Sequence, residues 1–254
     1  MNWAGFYDAE LERHNRHLQL AAEVRQGDRV LDIGCGAGQS SRDAAIAAVE
    51  GTVLGLDISE EMLVLARRRA EDAGLQNIAF QAGDAQSYPF AEGWFDLCIS
   101  RFGVMFFQDP AAAFANIARA LRPGGRLVWM VWQGQDRNPW SAEILRALTP
   151  GAAPASRAFS LGNPEHTASL LESAGFTSVA FTEVREPVFH GRDVQTACTA
   201  LAGLYLAKDA PPHNADMSLQ RLRALLERQL TPEGVLFESR AWIISACRSA
   251  GDQG

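Results

Sequence analysis

Val30-Leu31-Asp32-Ile33-Gly34-Cys35-Gly36-Ala37-Gly38-Gln39 reads as an apolar strand running into a loop with glycine at every second position, with a helix behind it. A backbone bare of side chains at Gly34, Gly36 and Gly38 can turn tightly and lie against a bulky ligand. The next two apolar runs each lead to an acid, Asp57 and Asp84. Strand, glycine loop, acid, acid is an order that holds a nucleoside-bearing ligand at the carboxyl edge of a parallel sheet.

Outward from that stretch, strands and helices alternate. Tyr7 to Val24 is predicted helical, with Leu11, Leu18, Ala21 and Ala22 on one side. Arg29–Ile33 is the first strand, Gln39–Val49 an alanine-rich helix and Thr52–Leu56 the second strand. Ser59 is placed to cap a helix over Glu60–Ala73, whose buried face would hold Met62, Leu65, Ala66, Ala70 and Ala73, and Gly74 is placed to end it. Strands follow at Asn77–Gln81 and Phe95–Ser100, a helix opens at Asp109-Pro110 and runs through Leu121, Arg122-Pro123-Gly124-Gly125 turns, and Arg126–Val131 is the fifth strand. Such alternation predicts right-handed crossovers and a parallel sheet covered on both faces. Beyond it, Asn138–Leu148, Pro164–Ala174, Asp193–Ala207 and Ser218–Leu230 read as helices, and Phe176–Val184 and Arg240–Arg248 as strands. Ala210-Pro211-Pro212-His213-Asn214 reads as a loop.

Composition narrows the function. The 254 residues are 47% hydrophobic, enough for a full core in one large domain or a domain with a smaller cap. A formal net charge of −7 argues against non-specific affinity for nucleic acid or an anionic membrane. No run reaches the ~20 continuous apolar residues of a membrane helix. Cys35, Cys98, Cys198 and Cys247 lack paired spacing, as expected of reduced thiols in a cytoplasmic protein with neither disulfide framework nor metal site.

The loop itself discriminates between ligands. A dinucleotide fingerprint needs G-x-G-x-x-G, and Gln39 stands at its third glycine position. A phosphate-binding loop ends in Gly-Lys-Ser/Thr, and none is present. Asp32, at the strand end, can meet a ligand ammonium. Asp57 can accept hydrogen bonds from both ribose hydroxyls, strengthened by its charge. Asp84 can accept from an exocyclic amine such as adenine N6. Ammonium, ribose and adenine in a row describe S-adenosyl-L-methionine or its product S-adenosyl-L-homocysteine.

With these residues in view, the chain resembles the class I S-adenosylmethionine-dependent methyltransferases, in their ubiquinone/menaquinone-methyltransferase-like small-molecule group. The resemblance rests on Val30–Gln39, Leu54-Gly55-Leu56-Asp57, Gly83-Asp84-Ala85, Phe95-Asp96-Leu97-Cys98-Ile99-Ser100 and Leu121-Arg122-Pro123-Gly124-Gly125. It covers Arg29 to Val131. It implies a Rossmann-like, doubly wound α/β sheet of seven strands with the last antiparallel, the final two being Phe176–Val184 and Arg240–Arg248. It further implies one class I methyltransferase domain over 1–254, with an N-terminal helical lid (1–26), a cofactor-binding core (27–135) and a helical insertion covering the substrate pocket (186–236). Carried over, Gly34, Cys35, Gly36 and Gly38 underlie the methionine part and Asp57 is the ribose acid. Ile58 flanks the adenine, Asp84 and Ala85 form the adenine-edge pair, and Ser100 and Arg101 pass the sulfonium. Asp32, Gln39, Met62 and Gly83 complete the expected cofactor contacts.

Other residues read two ways. Phe102, Met105, Phe106 and Phe107 are core, or a wall facing the sulfonium with ring π-density; Phe102, Met105, Phe106 and Trp140 are the candidate substrate-pocket residues. Arg101 pairs with a core carboxylate or holds an anionic substrate. Cys35 fills space beside the cofactor. Trp3, Phe6 and Tyr7 are a lid or a helix staple. Arg67-Arg68-Arg69 is a solvated helix face. His190 and His14 are the candidate general bases, since histidine titrates near neutrality. In-line methyl transfer needs alignment and dryness more than acid–base groups, and a base only for a weakly acidic acceptor. The expected partner is a small, hydrophobic or aromatic methyl acceptor, with no nucleic acid, no membrane span and possible homodimerisation. A macromolecular methyltransferase, or a binder using the cofactor without methylating, stands as the alternative. The segment Ser100-Arg101-Phe102-Gly103 lacks the Asp/Asn-Pro-Pro-aromatic pattern of DNA amino-methylating enzymes.

Overall fold

The computed structural model describes residues 10–149, 157–205 and 212–250. In chain order the elements are α1 (Glu12–Ala22), β1 (Arg29–Ile33), α2 (Gln39–Ala47), β2 (Thr52–Asp57), α3 (Glu60–Asp72), β3 (Ile78–Ala82), β4 (Phe95–Arg101), α4 (Pro110–Ala120) and β5 (Leu121–Trp132). They continue with α5 (Pro139–Leu148), α6 (Pro164–Ser173), β6 (Phe176–Val184), β7 (Val188–Gly191), α7 (Val194–Tyr205), α8 (Pro212–Arg228), β8 (Leu230–Thr231), β9 (Gly234–Phe237) and β10 (Ala241–Arg248). Trp3, Phe6 and Tyr7 lie outside the described residues.

The chain divides into two compact units; among described residues the larger is 15–133, 157–184 and 241–250, the smaller 10–14, 134–149, 185–205 and 212–240. The larger holds a seven-stranded sheet in the order β3-β2-β1-β4-β5-β10-β6. The pairs β1–β2, β1–β4, β2–β3 and β4–β5 are parallel. β10 runs antiparallel to both β5 and β6, so the last strand of the chain is the one reversed strand of this sheet. α2 packs on β1 and β2, α3 on β2 and β3, α4 on β5 and α6 on β6. Central strands are covered on both faces, which is why β1 and β4 read as near-continuous apolar runs. Trp129, Phe114, Leu31, Leu97 and Leu127 are fully buried. Burial of each such side chain contributes roughly 1.5–3 kcal/mol.

Local chemistry sets the element ends. The Ser59 hydroxyl accepts from Met62 N at 3.3 Å and caps α3. The Asp109 carboxylate accepts from Ala112 N at 3.0 Å ahead of Pro110 and caps α4. Gly74, at φ +69°, ends α3 with Leu75 N donating to Ala70 O. The buried face of α3 is Leu63, Ala66 and Ala70, about one residue off the expected face: Met62 and Leu65 are half-buried and Ala73 is exposed. Arg122–Gly125 does not interrupt β5. Phe95 pairs with Leu121 and Leu97 with Arg126, so the expected turn bulges out of a strand that resumes its pairing.

In the smaller unit, β7, β9 and β8 form an antiparallel sheet, and α5, α7 and α8 pack on one another. The segment expected as a helical insertion therefore also carries strands. Val188–Gly191 and Gly234–Phe237 are four residues each, too short for periodicity to reveal. α8 begins at Pro212, six residues before the expected start at Ser218. Proline suits a first helical turn, where its missing N–H costs nothing. Among the described residues no helix is long and apolar enough to cross a membrane.

Candidate functional site

In the larger unit the order of strands reverses at β1: β2 and β3 follow on one side and β4 returns to the other. Open α/β sheets bind ligands beyond the carboxyl ends of their strands at such a switch point. A cleft of about 380 Å³ lies there, lined by residues that follow β1, β2, β3 and β4.

Its floor is a crossing of two backbones. Gly34 has φ +67°, and a Cβ on it would stand 2.7 Å from Gly103 Cα. A Cβ on Gly103 would stand 2.7 Å from Ile33 O. The segment after β4 thus lies directly on the glycine loop, and no side chain fits between them. Ser100 staples the crossing: its hydroxyl donates to Ile33 O at 2.7 Å and accepts from Gly103 N at 3.2 Å. Phe102, between them, takes φ +58°, a strained conformation for a non-glycine residue. Its ring stacks on Trp132 at 4.0 Å.

Asp57 closes β2 and faces the loop. Gly36 N–H donates to its Oδ2 at 2.8 Å and Ser59 N–H to its Oδ1 at 2.9 Å. Each oxygen is aimed by a backbone donor and keeps a lone pair for another. Beside it, Ile58 is 80% exposed and Phe106 55% exposed, both lining the cleft. The third wall is the Gly83–Gln86 segment. The Asp84 carboxylate accepts from Gln86 N at 2.9 Å and from Gln86 Nε2 at 2.6 Å. Asn116, on α4, donates to Ala85 O at 2.9 Å and to Tyr88 O at 2.8 Å, tying this wall to the helix. Asn116→Ala removes both bonds and strands two carbonyls. The expected loss is about 1–3 kcal/mol of stability, read by denaturant unfolding.

The cleft brings together Gly34, Asp57, Ile58, Gly83, Asp84, Ala85, Arg101, Phe102 and Phe106 of the expected site residues. A second group stands behind them. Cys35 packs with Leu63, Ala66, Ala70 and Phe80, where burial and then the fields of Asp32 and Asp57 push its thiol pKa far up. Gly38 lets α2 approach β3, since a Cβ there would meet the Phe80 ring at 2.8 Å. Met62 Cε lies 3.6 Å from the Cβ position of Gly36. Gln39 accepts from Arg101 through Oε1 at 2.7 Å. Ser100 is occupied as the staple, and Met105 is buried with Trp132 N–H pointing at its sulfur at 3.3 Å.

Asp32 is fully buried, and the Ser41 hydroxyl donates to it at 2.6 Å. Burial raises its pKa from 3.8 to about 7, against the hydroxyls of Ser41 and Ser40 and the charge of Arg101. Between about pH 4 and 7 the unfolded carboxyl is ionised while the folded one keeps its proton, so this group's contribution to stability falls as pH rises through that window. The fall is on the order of 4 kcal/mol. Asp32→Asn is expected to flatten the slope and to match or exceed the unchanged protein's stability at pH 8. Urea midpoints across pH 4–8 check this.

His14, His190 and Trp140 belong to the smaller unit. His14 Nε2 lies 3.1 Å from Ser239 Oγ, whose own proton goes to Glu186 O at 2.6 Å, so His14 Nε2–H is the donor. His190 is 1% exposed, with Nδ1 3.2 Å from Glu10 Oε1 and its ring against Trp140 and Phe237. Trp140 is buried and donates to Asn138 Oδ1 at 3.2 Å.

Phe107 also lines the cleft, as the wall reading expects, whereas Gly103, Asn116, Gln86 and Gln108 are not singled out by the sequence. Gly103 carried a signal, a glycine just past a strand end. Asn116 carried none, because its partners lie in a distant loop.

Residues 30–125 match the methyltransferase domain family. The methyltransferase GfsG of Streptomyces halstedii is 32% identical over 179 residues, covering 69% of this chain and 62% of that protein. A demethylmenaquinone methyltransferase of Renibacterium salmoninarum is 36% identical over 168 residues, covering 65% of this chain and 66% of that one. The chain spans less than two thirds of either relative. The crystal structure of the YcgJ protein from Bacillus shares the fold with a TM-score of 0.67 at 20% identity, over 94% of this chain and 100% of that one. On its glycine loop, its two acids, its sheet order and these relatives, residues 30–125 form a methyltransferase domain of the S-adenosylmethionine-dependent kind.

Proposed function

We propose that the protein transfers a methyl group from S-adenosylmethionine to a small hydrophobic or aromatic metabolite, leaving S-adenosylhomocysteine. The observation that carries this reading is Asp57, with both oxygens aimed by backbone donors at the mouth of a cleft floored by bare backbone. A sugar diol meets such a carboxylate with two charge-assisted hydrogen bonds. Ile58 and Phe106 stand in water at the same mouth, and an adenine between them would remove that apolar area from solvent. Asp84 and the Ala85 backbone hold the base edge, and Gly34 admits the methionine chain. The cofactor, when bound, supplies an electrophilic methyl on a sulfonium whose bond electrons return to sulfur. The protein's part is to orient the acceptor and exclude water. The acidic balance of −7 supports a small molecule over nucleic acid. The demethylmenaquinone methyltransferase relative, named for a quinone-type acceptor, supports the apolar class.

The test is incubation with methyl-labelled S-adenosylmethionine and a cell extract, read by mass spectrometry. A small molecule heavier by one labelled methylene unit is the expected product. Label confined to protein or RNA would transfer the reading to a macromolecular acceptor, and product of unchanged mass would replace methyl transfer by another reaction.

A further inference from the structure

A second cavity of the larger unit stands apart from the cleft, and the described residues lining the two have none in common. It is a groove of about 470 Å³ lined by α1 and α2, with Ile99 of β4 among its walls. That volume lies in the range of small-molecule sites. Leu18, Ala22, Ala44 and Ile99 are buried and make the walls apolar. Leu20 of α1 and Ile46 of α2 also line the groove but are 67% and 61% exposed, so apolar surface is left in water at its mouth. The polar part is Asn15 and Ser40, both buried, and Asp43, half-buried. Asn15 Nδ2 donates to Asp43 Oδ2 at 2.7 Å and ties α1 to α2. Asn15 Oδ1 is buried and receives no donor. The Asp43 carboxylate takes that one hydrogen bond and has no ion pair. The other ionisable lining residue is Glu23, and no arginine, lysine or histidine is among the described residues of the lining.

We propose that this groove is a second small-molecule site, separate from methyl transfer, and that it binds a primary ammonium carried on an apolar body, an aliphatic or aromatic amine. Asp43 seats the ammonium. Opposite charges attract more strongly beside apolar walls than in open water, and a hydrogen bond between ions is stronger than one between neutral groups. A primary ammonium has three N–H donors, enough for Asp43 and for the neighbouring Asn15 oxygen that lacks one. Its apolar body lies against Leu20 and Ile46 and removes their surface from water. The two carboxylates of the lining repel a carboxylate ligand of the same shape, and an alcohol brings no charge to Asp43. The same charges disfavour a second copy of this chain as the occupant. A two-fold contact sets a patch against itself, which would bring the Asp43 and Glu23 pairs of two copies together. The site does not depend on the methyl-transfer reading.

The test is calorimetric titration of 3-phenylpropylamine, charged at pH 7, into the whole chain with and without S-adenosylhomocysteine. The expected result is saturable binding at one site, with the same affinity in both titrations. Asp43→Asn keeps an acceptor for Asn15 but removes the charge, and is expected to weaken binding by about 10- to 100-fold. For the unchanged protein, 3-phenylpropanol is expected to be weaker than the amine by a similar factor and 3-phenylpropanoate to show no uptake. Ala47→Trp, at an exposed position of the lining, is expected to fill the groove and abolish binding. Five results each overturn the proposal: no saturable binding of the amine, equal affinity for amine and alcohol, unchanged affinity in Asp43→Asn, unchanged affinity in Ala47→Trp, or displacement of the amine by S-adenosylhomocysteine, which would place it in the cleft. Sedimentation adds one more. A dimer that Ile46→Asp splits would give this face to a second copy of the chain and overturn the proposal as well.

Discussion

Asp57→Ala is expected to weaken S-adenosylmethionine binding by about 10²- to 10⁴-fold. Two hydrogen bonds to a charged acceptor are worth about 1.5–3 kcal/mol each, and every 1.4 kcal/mol is tenfold. The substitution also leaves the Gly36 and Ser59 N–H groups without the oxygens that receive them at 2.8 and 2.9 Å. Asp57→Asn is not a mild control here. Both carboxylate oxygens face donors, so an amide must turn its NH₂ toward one N–H, and its loss should approach that of alanine. Titration calorimetry measures both variants; an affinity equal to that of the unchanged protein would remove Asp57 from the ribose.

Gly34→Ala is expected to cost about 2–5 kcal/mol of folding stability. About 1–2 kcal/mol comes from a side chain at φ +67°, and about 1–3 kcal/mol from forcing the added Cβ away from Gly103 Cα at 2.7 Å. For a chain of this size that lowers the melting temperature by roughly 5–20 °C. Gly103→Ala acts on the other side of the same crossing, so the two costs should add to less than their sum: once the backbones have parted, the second methyl meets less resistance. Gly27, with nothing within 4 Å of its Cβ position and no positive φ, is the control, and Gly27→Ala should be neutral or slightly stabilising. Thermal unfolding of the three single variants and the double variant checks this. A Gly34→Ala protein as stable as Gly27→Ala would show that the crossing is looser than the geometry requires.

Much of the sheet was legible because its signals are local. An apolar run of five or six residues, a capping Ser59 and a helix-ending Gly74 each act within a few residues of themselves. The same holds for Asp109-Pro110 ahead of α4. Where two local signals compete, long-range pairing decides the outcome. Pro123-Gly124-Gly125 looks like a turn, yet pairing with β4 on one side and β10 on the other carries the strand through as a bulge. Pro211-Pro212 looks like a loop, yet the helix takes Pro212 as its start. The short strands of the smaller sheet gave no period to detect.

By itself the amino-acid order settled which residues end the strands, and therefore that Gly34, Asp57, Asp84 and Arg101 stand along one edge of a parallel sheet. Strand direction and helix caps are written in neighbouring residues, and neighbours can be read without folding the chain. Which of those side chains meets open space was decided only in three dimensions. Asp32, Cys35 and Gln39 belong to the same loop region as Gly34, yet it is Gly34 that faces the cleft. The reason is that α2, α3 and the segment after β4 press on that loop from far along the chain, and their packing decides which atoms remain uncovered.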